Sequence, residues 1–331
     1  MEGSRIVGSL PVAWFGGKSK VAKQVWAALG DVPNYCEPFF GSGAVLLGRP
    51  KGHSKRRTET VNDIDEWIAN FWRSVSHDPH AVAKHADYVI NEAELFSRHM
   101  WLIQTGKQMM QDGMVADPEW YDAKIAGWWL WGLSQWLGSG WCHGTGPWEI
   151  IDGKLTFTSR GGKGVNRQLI QLGNGGVGIN NAKLQGAQLY NYMELLAQRL
   201  KDVRVACGDW RRVLTKVVLD YGAVTGVFLD PPYTDKNDRD MKVYANDSAE
   251  IAHEVREWAL QHENYPGLRI VMAGYEGEHD MPATWRKVAW TGNNTFSSGQ
   301  GGGNNSENRT KERLWFSPAC LVEKPTLFNM E

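Results

Sequence analysis

The chain has 331 residues, 42% of them apolar and 22% charged, with a formal net charge of −1. No apolar run approaches the length of a membrane span, and the N-terminus MEGSRIVGSL lacks a signal peptide's apolar core. The four cysteines, Cys36, Cys142, Cys207 and Cys320, form no CxxC pair, which argues against a zinc site or disulfide framework and for a cytoplasmic location without a bound metal.

The first segment, roughly 10–75, alternates short strands and helices. "NYCEPFF" reads as a strand running into the tight turn Gly41-Ser42-Gly43 and an apolar helix start, Ala44–Leu47. "TETVNDID" reads as a second strand ending in acids, followed by a helix with Ile64, Trp67, Ile68, Phe71 and Val75 at helical spacing. The middle, 76–185, is different. Residues 80–136 are predicted helical, "EIIDGKLTFTS" is a hairpin about Asp152-Gly153, and "QLGNGGVGINN" is loop. Alternation resumes near 186. Leu189, Met193, Leu196 and Leu200 mark one helix; Ile251, Val255, Trp258 and Ala259 mark another. "VRVACGDW", 223–229, "LRIVMAGY", "WRKVAWTG" and "RLWFSPA" supply strands. The organisation expected is one α/β domain, 1–75 and 186–331, interrupted by an unlike domain, 76–185.

The stretch "VFLDPPYTD" poses the chemical question. Proline cannot donate to a ladder, so Val227–Leu229 is a buried strand and Asp230-Pro231-Pro232-Tyr233 the turn beyond its carboxyl end, where open α/β sheets bind ligands. An exocyclic amine on a nucleobase is a poor nucleophile because its lone pair is delocalised into the ring. Two acceptors on its N–H bonds would localise that pair: the Asp230 carboxylate, and the Pro231 carbonyl aimed by the rigid Pro-Pro backbone. Tyr233 offers a stacking face, and an electrophile already activated, such as a sulfonium methyl, then needs only in-line placement. Upstream, "EPFFGSGAV" builds a nucleotide-sized shelf on Gly41 and Gly43. In "VNDID", Asp63 and Asp65 are candidates for ribose hydroxyls, with Asp63 equally suited to cap the next helix. In "CGDW", Asp209 and Trp210 suit an adenine ring, while Trp210 equally suits a plain core.

"WFGGKSK", "EPFFGSGAV", "NDID", a long insert, "GDW" and "DPPY", in that order, resemble the Dam-type (D12 class, alpha-group) adenine-N6 DNA methyltransferases, over roughly 10–75 and 187–245. The resemblance implies a class I methyltransferase sheet with helices on both faces and an inserted, mainly helical target-recognition domain carrying a β-hairpin. It implies S-adenosylmethionine as methyl donor, and as substrate a flipped adenine in double-stranded DNA. Carried over by motif, Trp14 and Lys18 line the donor pocket, Glu37 and Phe39 lie along the methionine part, and Gly41 and Gly43 form the turn beneath. Asp63 takes the ribose, Asp209 and Trp210 flank the cofactor's adenine, and Tyr244 helps hold the flipped base.

Two features depart from the relatives that read GATC. Ala13 stands where they carry a lysine, and the insert lacks their arginine-bearing hairpin sequence, its "WWLWGLSQWLGSGWC" looking closer to phage-encoded relatives. Arg160, Lys163 and Arg167 are the insert side chains best suited to phosphates or a guanine edge. Of the 17 tryptophans, those crowding the insert are expected mainly in its core. A monomer in a bacterial or phage-infected cell is expected. Alternative readings are a cytosine-N4 DNA or RNA N6 methyltransferase, a glutamine-modifying protein methyltransferase, or a non-catalytic DNA-binding relative.

Overall fold

In the computed structural model the described residues are 18–50, 57–89, 92–117, 119–136, 141–142, 148–151, 154–157, 171–172, 182–183, 186–221, 224–232, 242–290 and 312–322. In chain order the elements run α1 (Ala22–Leu29), β1 (Asn34–Glu37), α2 (Ala44–Leu47), β2 (Thr58–Asp63), α3 (Glu66–His77), α4 (Pro79–Ala86), α5 (Glu92–Trp101), α6 (Lys107–Ala116) and α7 (Ala123–Gln135). They continue with β3 (Trp148–Ile151), β4 (Lys154–Phe157), β5 (Gln171–Leu172), β6 (Ala182–Lys183), α8 (Ala187–Leu200), β7 (Val203–Cys207), α9 (Lys216–Leu219), β8 (Thr225–Leu229), α10 (Lys242–Gln261), β9 (Leu268–Tyr275), β10 (Arg286–Ala289) and β11 (Glu312–Phe316). No helix among the described residues is long and apolar enough to cross a membrane. These residues fall into two compact units, one within 65–201, the other within 16–64, 202–293 and 303–331.

The second unit is a seven-stranded mixed sheet of order β10-β11-β9-β8-β1-β2-β7. The five strands β7, β2, β1, β8 and β9 are parallel, while β11 runs antiparallel to β9 and β10 antiparallel to β11. This mixed α/β sheet is consistent with the class I sheet that the sequence resemblance implies. Its central strands are buried along their whole length, as in NYCE and TGVFL, because a parallel sheet is covered on both faces. The chain winds outward from β1 to β2 and β7, then returns to β8 on the other side of β1. The carboxyl ends of β1 and β8 therefore diverge at a switch point, the place where such sheets bind ligands. Cys36, Val227, Leu229, Ile270 and Met272 pack with Trp210, Val255 and Trp285 in one apolar cluster.

The other unit is helical. Asp65, Asp78 and Asp122 cap α3, α4 and α7 by accepting from the backbone N–H of Trp67, Ala81 and Ile125, and Pro79 opens α4 at a position where its missing N–H costs nothing. Buried Asn70 clasps the backbone N–H and C=O of Asp122, fixing α3 to the start of α7. A one-turn π-helical segment, Leu102–Gly106, joins α5 to α6. This unit takes in α8 and most of α3, which lie outside the 76–185 segment expected as the insert.

Trp129, Trp131, Trp136 and Trp141 are each at most 5% exposed, so four of the insert tryptophans are core. The Arg98 guanidinium lies 3.9 Å from the Tyr88 ring centroid and 4.3 Å from that of Trp131. The hairpin is formed by β3 and β4, with Ile151 opposite Lys154; Asp152 and Gly153 lie outside the described residues. Two expectations change. Ile64 precedes α3 and is 71% exposed rather than part of its apolar face, because the cap falls on Asp65. Gln171 and Leu172, read as loop, pair with Lys183 and Ala182.

Candidate active site

The turn beyond β1 is built from backbone that only glycine adopts readily: Gly41 has φ 47° and Gly43 φ 66°. The Gly41 N–H donates to Asp63 Oδ2 at 2.8 Å, and the Phe40 N–H to the Asn62 carbonyl at 2.9 Å. Asp63 thus acts on the glycine turn, and Asp65, not Asp63, caps α3. Asn62, fully buried, donates to the carbonyls of Pro38 at 3.0 Å and Gly208 at 2.9 Å, so one amide ties together the ends of β1, β2 and β7. Its Oδ1 is buried and has no hydrogen-bond partner among the described residues.

Glu37, the last residue of β1, is 2% exposed. Tyr35 Oη donates to its Oε2 at 2.8 Å, and the Leu46 N–H also bonds it. Burial, and to a lesser degree the carboxylates of Asp230 and Asp63, hold the Glu37 carboxyl well above the usual carboxylate range against those two donors. Asp230 follows β8. Lys18, almost fully buried just before α1, places its Nζ 3.0 Å from Asp230 Oδ2 and 5.6 Å from the Trp290 ring centroid. A lysine expected in the donor pocket thus contacts the acid of the DPPY turn. Glu312, at the start of β11, is also buried. Desolvation pushes its carboxyl up to about 7, with Lys18 pulling the other way.

At the end of β7, Asp209 caps a short 3-10 turn, Trp210–Val213, by accepting from the Arg211 N–H, and its other oxygen takes the Arg211 guanidinium at 2.9 Å. Arg211 also pairs with Glu254. Trp210 is 5% exposed, inside the apolar cluster, with the half-buried Phe39 ring 6.1 Å away and Trp258 edge-on at 6.3 Å. Its Nε1 has no partner among the described residues.

The fold brings Lys18, Glu37, Phe39, Gly41, Gly43, Asp63, Asp209, Trp210, Asp230 and Pro231 to or near the carboxyl edge of one sheet. Trp14, Tyr233, Arg160, Lys163 and Arg167 lie outside the described residues, and Tyr244 is described only as backbone of α10. Pro231 is buried and Pro232 exposed. Sequence reasoning missed Asn62, Tyr35, Trp290 and Glu312. For Glu312 a signal existed: the first residue of a strand antiparallel to its neighbour emerges at that neighbour's carboxyl end.

S-adenosylmethionine suits this edge on two observations: positive-φ glycines that let a ligand approach the turn closely, and a carboxylate holding that turn at the end of the adjacent strand. Residues 14–113 match the family model described as D12 class N6 adenine-specific DNA methyltransferase. No curated protein matches the chain.

Proposed function

We infer from that match and this edge that the chain is an S-adenosylmethionine-dependent methyltransferase acting on N6 of adenine in DNA. The observation that carries the mechanism is the position of Asp230: just beyond a central buried strand, beside the switch point, and followed by two prolines.

In the proposed mechanism Asp230 and the Pro231 carbonyl accept from the two N–H bonds of the target amine, and Tyr233 stacks on the base. Together they hold the nitrogen lone pair out of the ring and in line with the methyl. When bound, S-adenosylmethionine supplies a methyl activated by a sulfonium sulfur, which keeps the electron pair of the broken bond. Asp63 and the glycine turn would hold the donor's ribose side, Phe39 and Glu37 border its methionine part, and Trp14, Asp209 and Trp210 complete the pocket. Asp209 is already engaged by Arg211, so a donor amino group would share that carboxylate. Asp230 does further work as charge moves from sulfur to nitrogen, because a carboxylate beside the amine favours the positive nitrogen.

We assign target recognition to 76–185, with Arg160, Lys163 and Arg167 on DNA and Tyr244 on the flipped base. Ala13 favours a site other than GATC. A monomer in the cytoplasm of a bacterial or phage-infected cell is the form we propose. Its support is the family's DNA substrate, together with four cysteines that are all free thiols.

The test is methyl transfer from labelled donor to unmodified duplex DNA, followed by nucleoside analysis. N6-methyladenine is expected. Asp230→Ala should lower turnover by about a thousandfold or more while donor affinity changes little. Label on cytosine, or substantial turnover by Asp230→Ala, would overturn this reading.

A further inference from the structure

Beside the pocket stands a carboxyl that the mechanism above does not use. Glu312 opens β11 opposite Tyr275, the last residue of β9, while Leu229 at the end of β8 pairs with Met272. Glu312 therefore emerges at the edge where Asp230 follows β8. It is 8% exposed, and its Oε2 has no hydrogen-bond partner among the described residues. Leaving a carboxylate oxygen buried and unmatched is costly unless a charge offsets it. The charges that bear on it are Lys18, then Asp230, then Lys20. Trp290 links the group: its backbone N–H donates to the Glu312 carbonyl at 3.1 Å and its ring borders Lys18. The neighbouring Arg313 is engaged elsewhere, by Glu276.

Lys18 is paired with Asp230, the residue that must accept from the target amine. An ammonium hydrogen-bonded to a carboxylate weakens it as an acceptor toward a third group. A second carboxylate nearby relieves this by drawing the ammonium toward itself. We propose that Glu312 is a positioning residue for methyl transfer: acting through Lys18, it shares the ammonium with Asp230 and keeps the Asp230 carboxylate available to the target amine. This rests on the methyltransferase reading of the site.

Only ionised Glu312 can do this. Burial holds its carboxyl near 7, and the titratable or charged groups facing it are Lys18 and Lys20 ahead of α1, Asp230 beyond β8 and Tyr275 on β9. The sign follows: below about 7 Glu312 is neutral and no longer draws the Lys18 ammonium from Asp230, and turnover falls. Above it turnover levels off.

The test pairs wild type with Glu312→Gln, which keeps shape and removes charge. Wild-type turnover on duplex DNA should fall by about tenfold in all on the acid side of neutrality, and the variant should already run at that lower rate near pH 8 with the acid limb gone. Isotope-labelled lysine NMR, with the Lys18 signal assigned through Lys18→Arg, gives a readout independent of turnover. The Lys18 signal should change position as Glu312 ionises near neutrality in wild type and stay constant there in Glu312→Gln. An unchanged acid limb in the variant, or a Lys18 signal blind to Glu312, would overturn the proposal and mark Glu312 as packing alone. Should Glu312→Gln fail to fold, Glu312→Asp decides: a shorter arm should slow turnover yet retain the acid limb, and wild-type turnover in that variant sinks the idea. A wild type that methylates no DNA would unseat the methyltransferase reading instead, while the Lys18 signal would still report on Glu312.

Discussion

Replacing Asp63 with alanine separates two roles open to one carboxylate at the end of β2. Asp63 Oδ2 accepts from the Gly41 N–H at 2.8 Å across 22 residues of sequence, and Gly41 is one of the two positive-φ residues of the turn. A hydrogen bond to a charged group contributes about 1.5–3 kcal/mol. The bond is only partly buried, so water can satisfy the freed Gly41 N–H and the lower half of that range applies to the turn itself. Any hydrogen bond from Asp63 to the donor's ribose adds to it. Asp63→Ala should therefore weaken S-adenosylmethionine binding by about 10- to 150-fold, read by calorimetric titration. Global stability should fall by about 1.5 kcal/mol with the lost Gly41 bond, while α3 keeps its cap on Asp65. Asp65→Ala is the mirror control: it should cost about 1 kcal/mol of stability in thermal denaturation and leave donor affinity unaltered. Donor affinity unchanged in Asp63→Ala would refute the assignment of Asp63 to the donor side of the site.

Three further outcomes follow. Glu37 keeps its proton in the folded protein where an unfolded chain has lost it, so wild-type stability should fall by about 1.4 kcal/mol per pH unit from the ordinary glutamate range up to its raised folded value. Glu37→Gln should lack that slope and gain on wild type as pH rises in urea denaturation, and parallel curves would refute the buried proton. Trp131→Ala should cost about 3–5 kcal/mol, since Trp131 is 1% exposed and bonds the Tyr88 carbonyl, with DNA affinity of the folded fraction unchanged; a selective loss of DNA binding would make it a contact residue. Arg160→Ala with Arg167→Ala should weaken DNA binding and lower its salt dependence by about two counterions, so that binding like wild type would remove both from the interface.

What was legible in the sequence follows the range of the interactions involved. β8 and β9 were readable as apolar runs, β1 and β2 as short segments that end in acids, and the order of their motifs carried the sheet. The sequence left open whether Asp63 capped α3, since Asp63 and Asp65 are both acids ahead of the same apolar stripe. Only the backbone decides which of them reaches the Trp67 N–H. The ties that shape the site span long distances: Asp63 to Gly41, Asn62 to Gly208, Lys18 to Asp230. None has a local pattern. Glu312 was hidden for a further reason. It lies within "NRTKER", whose basic residues suggest solvated surface, and only the antiparallel turn of β11 carries the one acid among them into the sheet edge.

The charges at that edge are arranged by what methyl transfer does to charge. A cationic sulfonium becomes neutral and a neutral amine becomes positive, so a uniform negative field around both would stabilise the donor as much as the product and gain nothing in the transition state. The edge is not uniform. Glu37, which borders the donor in the proposed mechanism, is held toward its neutral form by burial. Asp63 is turned to the glycine turn. Asp230 is the carboxylate assigned to the amine, where positive charge appears only as the bond forms, and interactions realised there are the ones that accelerate the step. Lys18 opposes that effect while it is paired with Asp230. A second carboxylate that draws on the same ammonium offsets this opposition, and Glu312, on which the Lys18 charge bears, is the one we propose.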